Sequence, residues 1–218
     1  MTSQARPAFR GLYLISDEPM VEAGGFPDFL EQCLAMGLSV AQLRAKRMDR
    51  GEMLEIAREC RARTRRSGAL FIVNDDIQLA IDADADGVHI GQKDMSPALA
   101  RQMLGPRLHI GLSVGDIEQV RKANREPVDS IGFGPVFETK TKEDADAATG
   151  LESLRQAARE SVHPVTAIGG INTANAPDVL EAGAQAIAVI TAISRAENPM
   201  ETTKDFLQIC GQYRPKQA

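Results

Sequence analysis

The sequence predicts a single (β/α)8 barrel, in which eight parallel strands alternate with helices and close into a ring. Three observations lead there. The chain has 218 residues, within the range of about 200 to 250 for a compact barrel. Short β-rich apolar runs alternate with segments of helical periodicity, which implies a parallel sheet with helical crossovers. Polar residues cluster just after the runs. A barrel brings all such strand ends to one mouth, whereas an open doubly wound sheet has the same rhythm but strings them along an edge. Convergence explains more of the sequence. The barrel is expected over residues 11–212, with tails at 1–10 and 213–218.

Composition narrows the function. The chain is 43% hydrophobic, enough for a sizeable core, and its net charge is −5. That balance argues against a broad nucleic-acid-binding face while permitting a local basic pocket. No apolar run approaches the ~20 residues of a membrane span. The opening MTSQARPAFR lacks the apolar segment of a secretory signal. Cys33, Cys60 and Cys210 are too dispersed for a disulfide framework or a zinc site and read as small core residues in a reducing cytoplasm.

The first run is Leu12 to Ser16 and the second Val40 to Leu43. The second leads into Gln42, Arg44 and Lys46 at alternate positions. Extended backbone projects such side chains together, here two cations and an amide suited to phosphate oxygens. In "RGEMLEIARECRARTRR", which follows, Met53, Leu54, Ile56, Ala57 and Cys60 share one helical face, and the arginines form a solvated outer face. The third run, Leu70 to Val73, ends in Asn74, Asp75 and Asp76, and Asp76 is expected to cap the next helix. The fourth, Gly87 to Ile90, carries His89 and leads to Asp94. Asp75 and Asp94 on neighbouring strand ends are hard oxygen ligands, suited to Mg2+ that also binds substrate phosphates.

The fifth run, Leu108 to Leu112, precedes Ser113, and the sixth, Ser130 to Phe133, leads to Thr139, Thr141 and Lys142. The seventh, Val165 to Ile168, is followed by Gly169, Gly170 and a helix over 175–182. The eighth, Ala186 to Ile190, reaches Thr191, with a final helix over 203–212. Backbone amides after strands seven and eight form the phosphate site of many barrels, and Gly170 would admit an anion close to the main chain. The mouth thus offers a cation-rich, metal-competent anion site on the early strands and a backbone site on the late ones. A diphosphate and a monophosphate, joined with loss of pyrophosphate, would use both. His109 and His163 read as packing residues. Motifs for serine hydrolysis, zinc proteolysis, nucleoside-triphosphate hydrolysis and dinucleotide binding are missing from the sequence.

The ordered motifs YLISD, QLRAK, FIVNDD, ADGVHIGQKD, IGLS, IGFGPVFETKTK, AIGGI and AVITAIS resemble the thiamine phosphate synthase family along nearly the whole chain. The resemblance implies an enzyme that joins 4-amino-2-methyl-5-hydroxymethylpyrimidine diphosphate to a thiazole phosphate, with Mg2+ required. It implies that Gln42, Arg44, Lys46 and Asn74 bind the pyrimidine diphosphate and that Asp75 and Asp94 hold Mg2+. By the same resemblance Arg44, Ser113 and Lys142 serve catalysis on the diphosphate side. Thr139, Thr141, Gly170, Ile190 and Thr191 serve the thiazole phosphate. The partners implied are small molecules rather than nucleic acid or membrane, with a homo-oligomer possible.

The chain departs from the family pattern at two places. Thr191 stands where Ser is usual, a change a backbone contact survives. Gly115 stands where related thiazole tautomerases carry histidine, which together with the complete cation set favours synthase over tautomerase. A non-catalytic barrel that binds phosphate metabolites is the third reading, disfavoured by both aspartates and Lys142. Residues 138–150 are expected to form a lid over the bound substrates.

Overall fold

The computed structural model describes residues 9–139 and 147–213. Its strands are β1 (Gly11–Ile15), β2 (Val40–Leu43), β3 (Leu70–Asn74), β4 (Gly87–Ile90), β5 (His109–Val114), β6 (Ser130–Phe133), β7 (Val165–Ile168) and β8 (Ala186–Val189). They pair in parallel and in sequence order, and β8 returns to β1 to close the barrel. The helices are α1 (Glu18–Glu22), α2 (Phe26–Ala35), α3 (Arg50–Ser67), α4 (Ile77–Asp82), α5 (Pro97–Leu104), α6 (Ile117–Ala123), α7 (Gly150–Glu160), α8 (Ala176–Glu181), α9 (Thr191–Ser194) and α10 (Pro199–Gln212). None of these helices is long and apolar enough to cross a membrane.

The strands read as nearly continuous apolar runs because both faces are covered. Outward side chains such as Leu12, Leu14, Phe71, Val73, Ile110 and Ile131 are buried against the helices. Inward ones, among them Tyr13, Ile15, Val40, Leu70, Ile72 and Ala188, form a separate cluster inside the ring. At the N-terminal end Phe9 stacks on His109 with ring centroids 4.5 Å apart, and His109 Nε2 lies 2.8 Å from Ser130 Oγ. His109 therefore packs the floor of the barrel. His163, in the turn before β7, contacts the Ala123 carbonyl at 3.2 Å.

Helix boundaries follow local chemistry. Asp76 caps α4, its Oδ1 accepting from Leu79 N at 2.8 Å, as expected from the sequence. In α3 the buried residues are Met53, Ala57, Cys60 and Thr64, while Leu54 and Ile56 are only partly buried. The arginine-rich face of that helix is more tied down than a solvated run. Arg63 reaches Asp28, Glu31 and Glu59, Arg61 pairs with Asp86, and Arg65 pairs with Asp84. These pairs fasten α3 to α2 and to the loop before β4. The last helix starts at Pro199, a turn earlier than expected, because Asn198 accepts from Glu201 N at 3.2 Å and proline suits the first helical position.

Candidate active site

A cavity of about 530 Å3 opens at the C-terminal end of the barrel. Its walls carry Gln42, Arg44, Lys46, Asn74, Asp75, Asp94, Ser113, Thr139, Gly170, Ile190 and Thr191. The structure thus brings together every described member of the set singled out in the sequence. Thr141 and Lys142 lie outside the described residues, as does 140–146 of the expected lid. The ends of that segment meet: Thr149 N and Gly150 N donate to the carbonyls of Pro135 and Val136 at 2.8 and 3.0 Å.

On the β2 side, two residues of the preceding turn hold the cation-bearing loop. The buried Ser16 hydroxyl donates to the Arg44 carbonyl at 2.9 Å and accepts from Arg44 N at 2.7 Å. Glu18 Oε1 accepts from the backbone of both Lys46 and Arg47 at 2.6 Å. Gln42 is buried and hydrogen-bonded to the Tyr13 hydroxyl at 2.5 Å, deep in the cavity. Ser16, Glu18 and Tyr13 escaped the sequence reading, although Tyr13 and Ser16 fall within YLISD. Their partners lie 28 or 29 residues away, so nothing local marks them.

At the ends of β3 and β4 the backbone turns sharply. Asp75 adopts φ 59°, a left-handed conformation uncommon outside glycine and asparagine. Its N–H donates to the His89 carbonyl at 2.8 Å. Asp94 accepts from Gly91 N at 2.7 Å, which holds its carboxylate beside that of Asp75. Burial, followed by the Asp94 charge, pushes the Asp75 carboxyl up to about 6, while Lys46 pulls the other way. Among the described residues no group of three or more His, Cys, Asp or Glu side chains could hold a metal. Asp75 and Asp94 offer two hard carboxylates, a pair whose chemistry fits Mg2+ completed by waters and substrate phosphate oxygens.

Ser113 lies within β5 and not beyond it, because the strand runs on to Val114. Its Oγ is 2.9 Å from His89 Nε2. The imidazole reaches Ser113 by crossing two glycines: a Cβ on Gly111 would fall 2.4 Å from His89 Nδ1, and one on Gly132 would fall 3.0 Å from Cε1. Gln92 Nε2 donates to the Ser113 carbonyl at 2.7 Å, and Gln119 Oε1 accepts from Gly115 N at 2.9 Å. Gly115 itself lines the cavity, so no imidazole enters from that position.

On the late strands Gly170 has φ 65°, and a Cβ there would meet the Glu138 carbonyl oxygen at 2.6 Å. Gly169, at φ 99°, would likewise strike Pro135 at 2.5 Å. The sequence suggested close approach of an anion as the reason for glycine. Close packing of the segment after β6 onto this turn is the reason visible here. A shallower recess adjoins the cavity, shares Thr139, Gly170, Ile171, Thr191 and Ala192 with it, and adds Glu138, Asn172 and Arg195.

Residues 12–193 match the family model described as thiamine monophosphate synthase. The chain belongs to the thiamine monophosphate synthase family. The thiamine-phosphate synthase of Persephonella marina is 46% identical over 91% of the chain and 94% of its own length. That of Methanocella arvoryzae is 41% identical, covering 93% and 96%. Among solved structures, a thiamine phosphate pyrophosphorylase from Pyrococcus furiosus superposes with a TM-score of 0.85 at 35% identity, covering 93% of this chain and 96% of that one. The thiamine monophosphate synthase match takes in all eight strands from Leu12 onward and ends within α9.

Proposed function

We propose that the chain condenses 4-amino-2-methyl-5-hydroxymethylpyrimidine diphosphate with a thiazole phosphate, giving thiamine phosphate and pyrophosphate with Mg2+ bound. One observation carries the reading. A single cavity holds the Asp75 and Asp94 carboxylates with Arg44 and Lys46 on its early-strand wall, and the Gly170 and Thr191 turns on its late-strand wall. That arrangement suits a metal-bound diphosphate facing a monophosphate. The family membership and the names of the relatives support it.

Mg2+, held by Asp75 and Asp94, would neutralise charge on the diphosphate. Arg44 and Lys46, fixed by Ser16 and Glu18, face the same charge and stabilise it as the pyrimidine carbon–oxygen bond breaks. The bond's electron pair leaves with pyrophosphate, and the resulting pyrimidine cation accepts the thiazole nitrogen lone pair. No nucleophilic side chain is required, in keeping with three cysteines that lie outside the cavity lining. Gln42, Asn74, His89 and Ser113 orient the pyrimidine ring, and the late-strand turns place the thiazole against it. Lys142 adds to the diphosphate side in this reading, and residues 138–150 exclude water from the cation. The test is pyrophosphate release from the purified chain given both substrates and Mg2+. Release above background is expected only when all three are present; none from folded protein would end the proposal.

A further inference from the structure

Thr166 lies in β7 with 3% of its surface exposed, and its Oγ1 is the one buried side-chain polar atom without a hydrogen-bond partner among the described residues. A buried hydroxyl left unpaired is destabilising, and Thr166 is one of the residues that line the cavity. Its register explains why nothing in the protein reaches it. Thr166 pairs with Gly132 on one side and Ala186 on the other, and neither neighbour has a polar side chain. Gly132 pairs in turn with Ser113, so Thr166 and Ser113 flank a glycine in one row of the sheet. Ser113 is satisfied by His89 at 2.9 Å. Thr166 has no counterpart.

We propose that the Thr166 hydroxyl is a specificity residue that hydrogen-bonds the polar edge of the bound aminopyrimidine ring, on the β7 side of His89. The assignment rests on the reading of the site as a thiamine phosphate synthase and adds a contact to it. Ligand chemistry decides between the two substrates. An aminopyrimidine buried inside a barrel carries two ring nitrogens and an amine, each of which needs a partner. The thiazole offers a methyl group and sulfur, and its single nitrogen must keep its lone pair for bond formation. A donor bonded to that nitrogen would oppose the reaction. The His89 imidazole lies over Gly132, between Ser113 and Thr166, so Thr166 meets the ring from the β7 side, with a hydrogen bond of about 2.8 Å.

The test compares Thr166→Val, which keeps shape and removes the hydroxyl, with Thr166→Ser, which keeps the hydroxyl. Thermal midpoints are measured without ligand, and KM is measured for each substrate at saturating partner and Mg2+. For Thr166→Val the midpoint is expected to rise by about 2–4 °C, because an unpaired hydroxyl has gone. The same variant is expected to show a KM for the pyrimidine diphosphate raised about 5- to 20-fold, with the thiazole phosphate KM within about twofold of wild type. Thr166→Ser should stay near wild type in both KM values. A Val variant that keeps wild-type KM for both substrates, or loses affinity for the thiazole phosphate instead, overturns the assignment while the synthase reading stands. A wild-type chain that turns over neither substrate overturns the reading and the assignment together.

Discussion

Lys46 Nζ lies 3.9 Å from Asp75 Oδ2, at the outer limit of an ion pair, while the Asp94 carboxylate also neighbours Asp75 and opposes its ionisation. The two carboxylates crowd one another locally although Arg44, Lys46 and Lys93 line the same cavity, and a divalent ion between the acids would relieve that repulsion in the proposed reading.

The first prediction concerns stability and pH. Asp75 ionises near 6 in the folded chain, against 3.8 as its ordinary value. Between those values the folded state keeps a proton that the unfolded state has lost. Stability of the apo protein therefore falls as pH rises through this window, and the penalty is complete by pH 7. The side chain is 34% exposed, so solvent screening reduces the effect to ~1 kcal/mol. Asn tolerates the left-handed backbone at this position. Thermal melts in chelator should show Asp75→Asn slightly more stable than wild type at pH 7 and equal to it at pH 4. Added Mg2+ with pyrophosphate should raise the wild-type midpoint and leave the variant unmoved, and the metal's effect should fade below about pH 6.

Glu18 supplies the second. Its carboxylate receives two backbone N–H groups of the loop that carries Lys46, and hydrogen bonds to a charged acceptor contribute about 1.5–3 kcal/mol. Glu18→Ala is expected to raise the KM for the pyrimidine diphosphate about tenfold. The KM for the thiazole phosphate, assigned in the proposed reading to other strands, should not change. Equal loss for both substrates in steady-state kinetics would show that Glu18 supports the barrel as a whole rather than this loop.

How much of this was legible in the sequence follows from the range of the forces involved. Strand period, capping by Asp76 and the clustering of polar residues after strands are local signals, and the barrel could be read from them. So could Gln42, Arg44, Lys46, Asp75 and Asp94, because each sits at a strand end. Tyr13, Ser16 and Glu18 act through partners 28 or 29 residues on, in β2 and the loop after it, and Thr166 is set by its register between Gly132 and Ala186, so none carries a local mark. The β5 boundary was short by two residues because Ser113 and Val114 look like the start of a loop. In the structure Val114 is buried and paired with Phe133.

The third prediction tests two of the tight glycines. Gly170→Ala would hold a side chain at φ 65° and drive its Cβ to 2.6 Å from a backbone oxygen. Denaturant unfolding should show a loss of about 2 kcal/mol, and the KM for the thiazole phosphate should rise. Gly111→Ala would press on His89 at 2.4 Å. It should weaken the pyrimidine diphosphate instead, since displacing the imidazole breaks its contact with Ser113.

The proposed metal ligands give the fourth. Asp94→Ala removes one of two carboxylates while leaving the chain folded, since the residue it holds, Gly91, lies at the exposed mouth. Turnover at limiting Mg2+ should fall at least a hundredfold, about 2.7 kcal/mol of lost transition-state stabilisation. Circular dichroism should be unchanged. A wild-type Mg2+ dependence in this variant would remove Asp94 from the metal site.

The most direct measurement is stoichiometric. Wild-type protein is given both substrates with Mg2+, and thiamine phosphate and pyrophosphate are quantified in the same reaction. One pyrophosphate per thiamine phosphate is the expected result, with neither formed in chelator. Pyrophosphate released without thiamine phosphate, or full product formation without metal, would contradict a cavity that joins two phosphorylated substrates over Asp75 and Asp94.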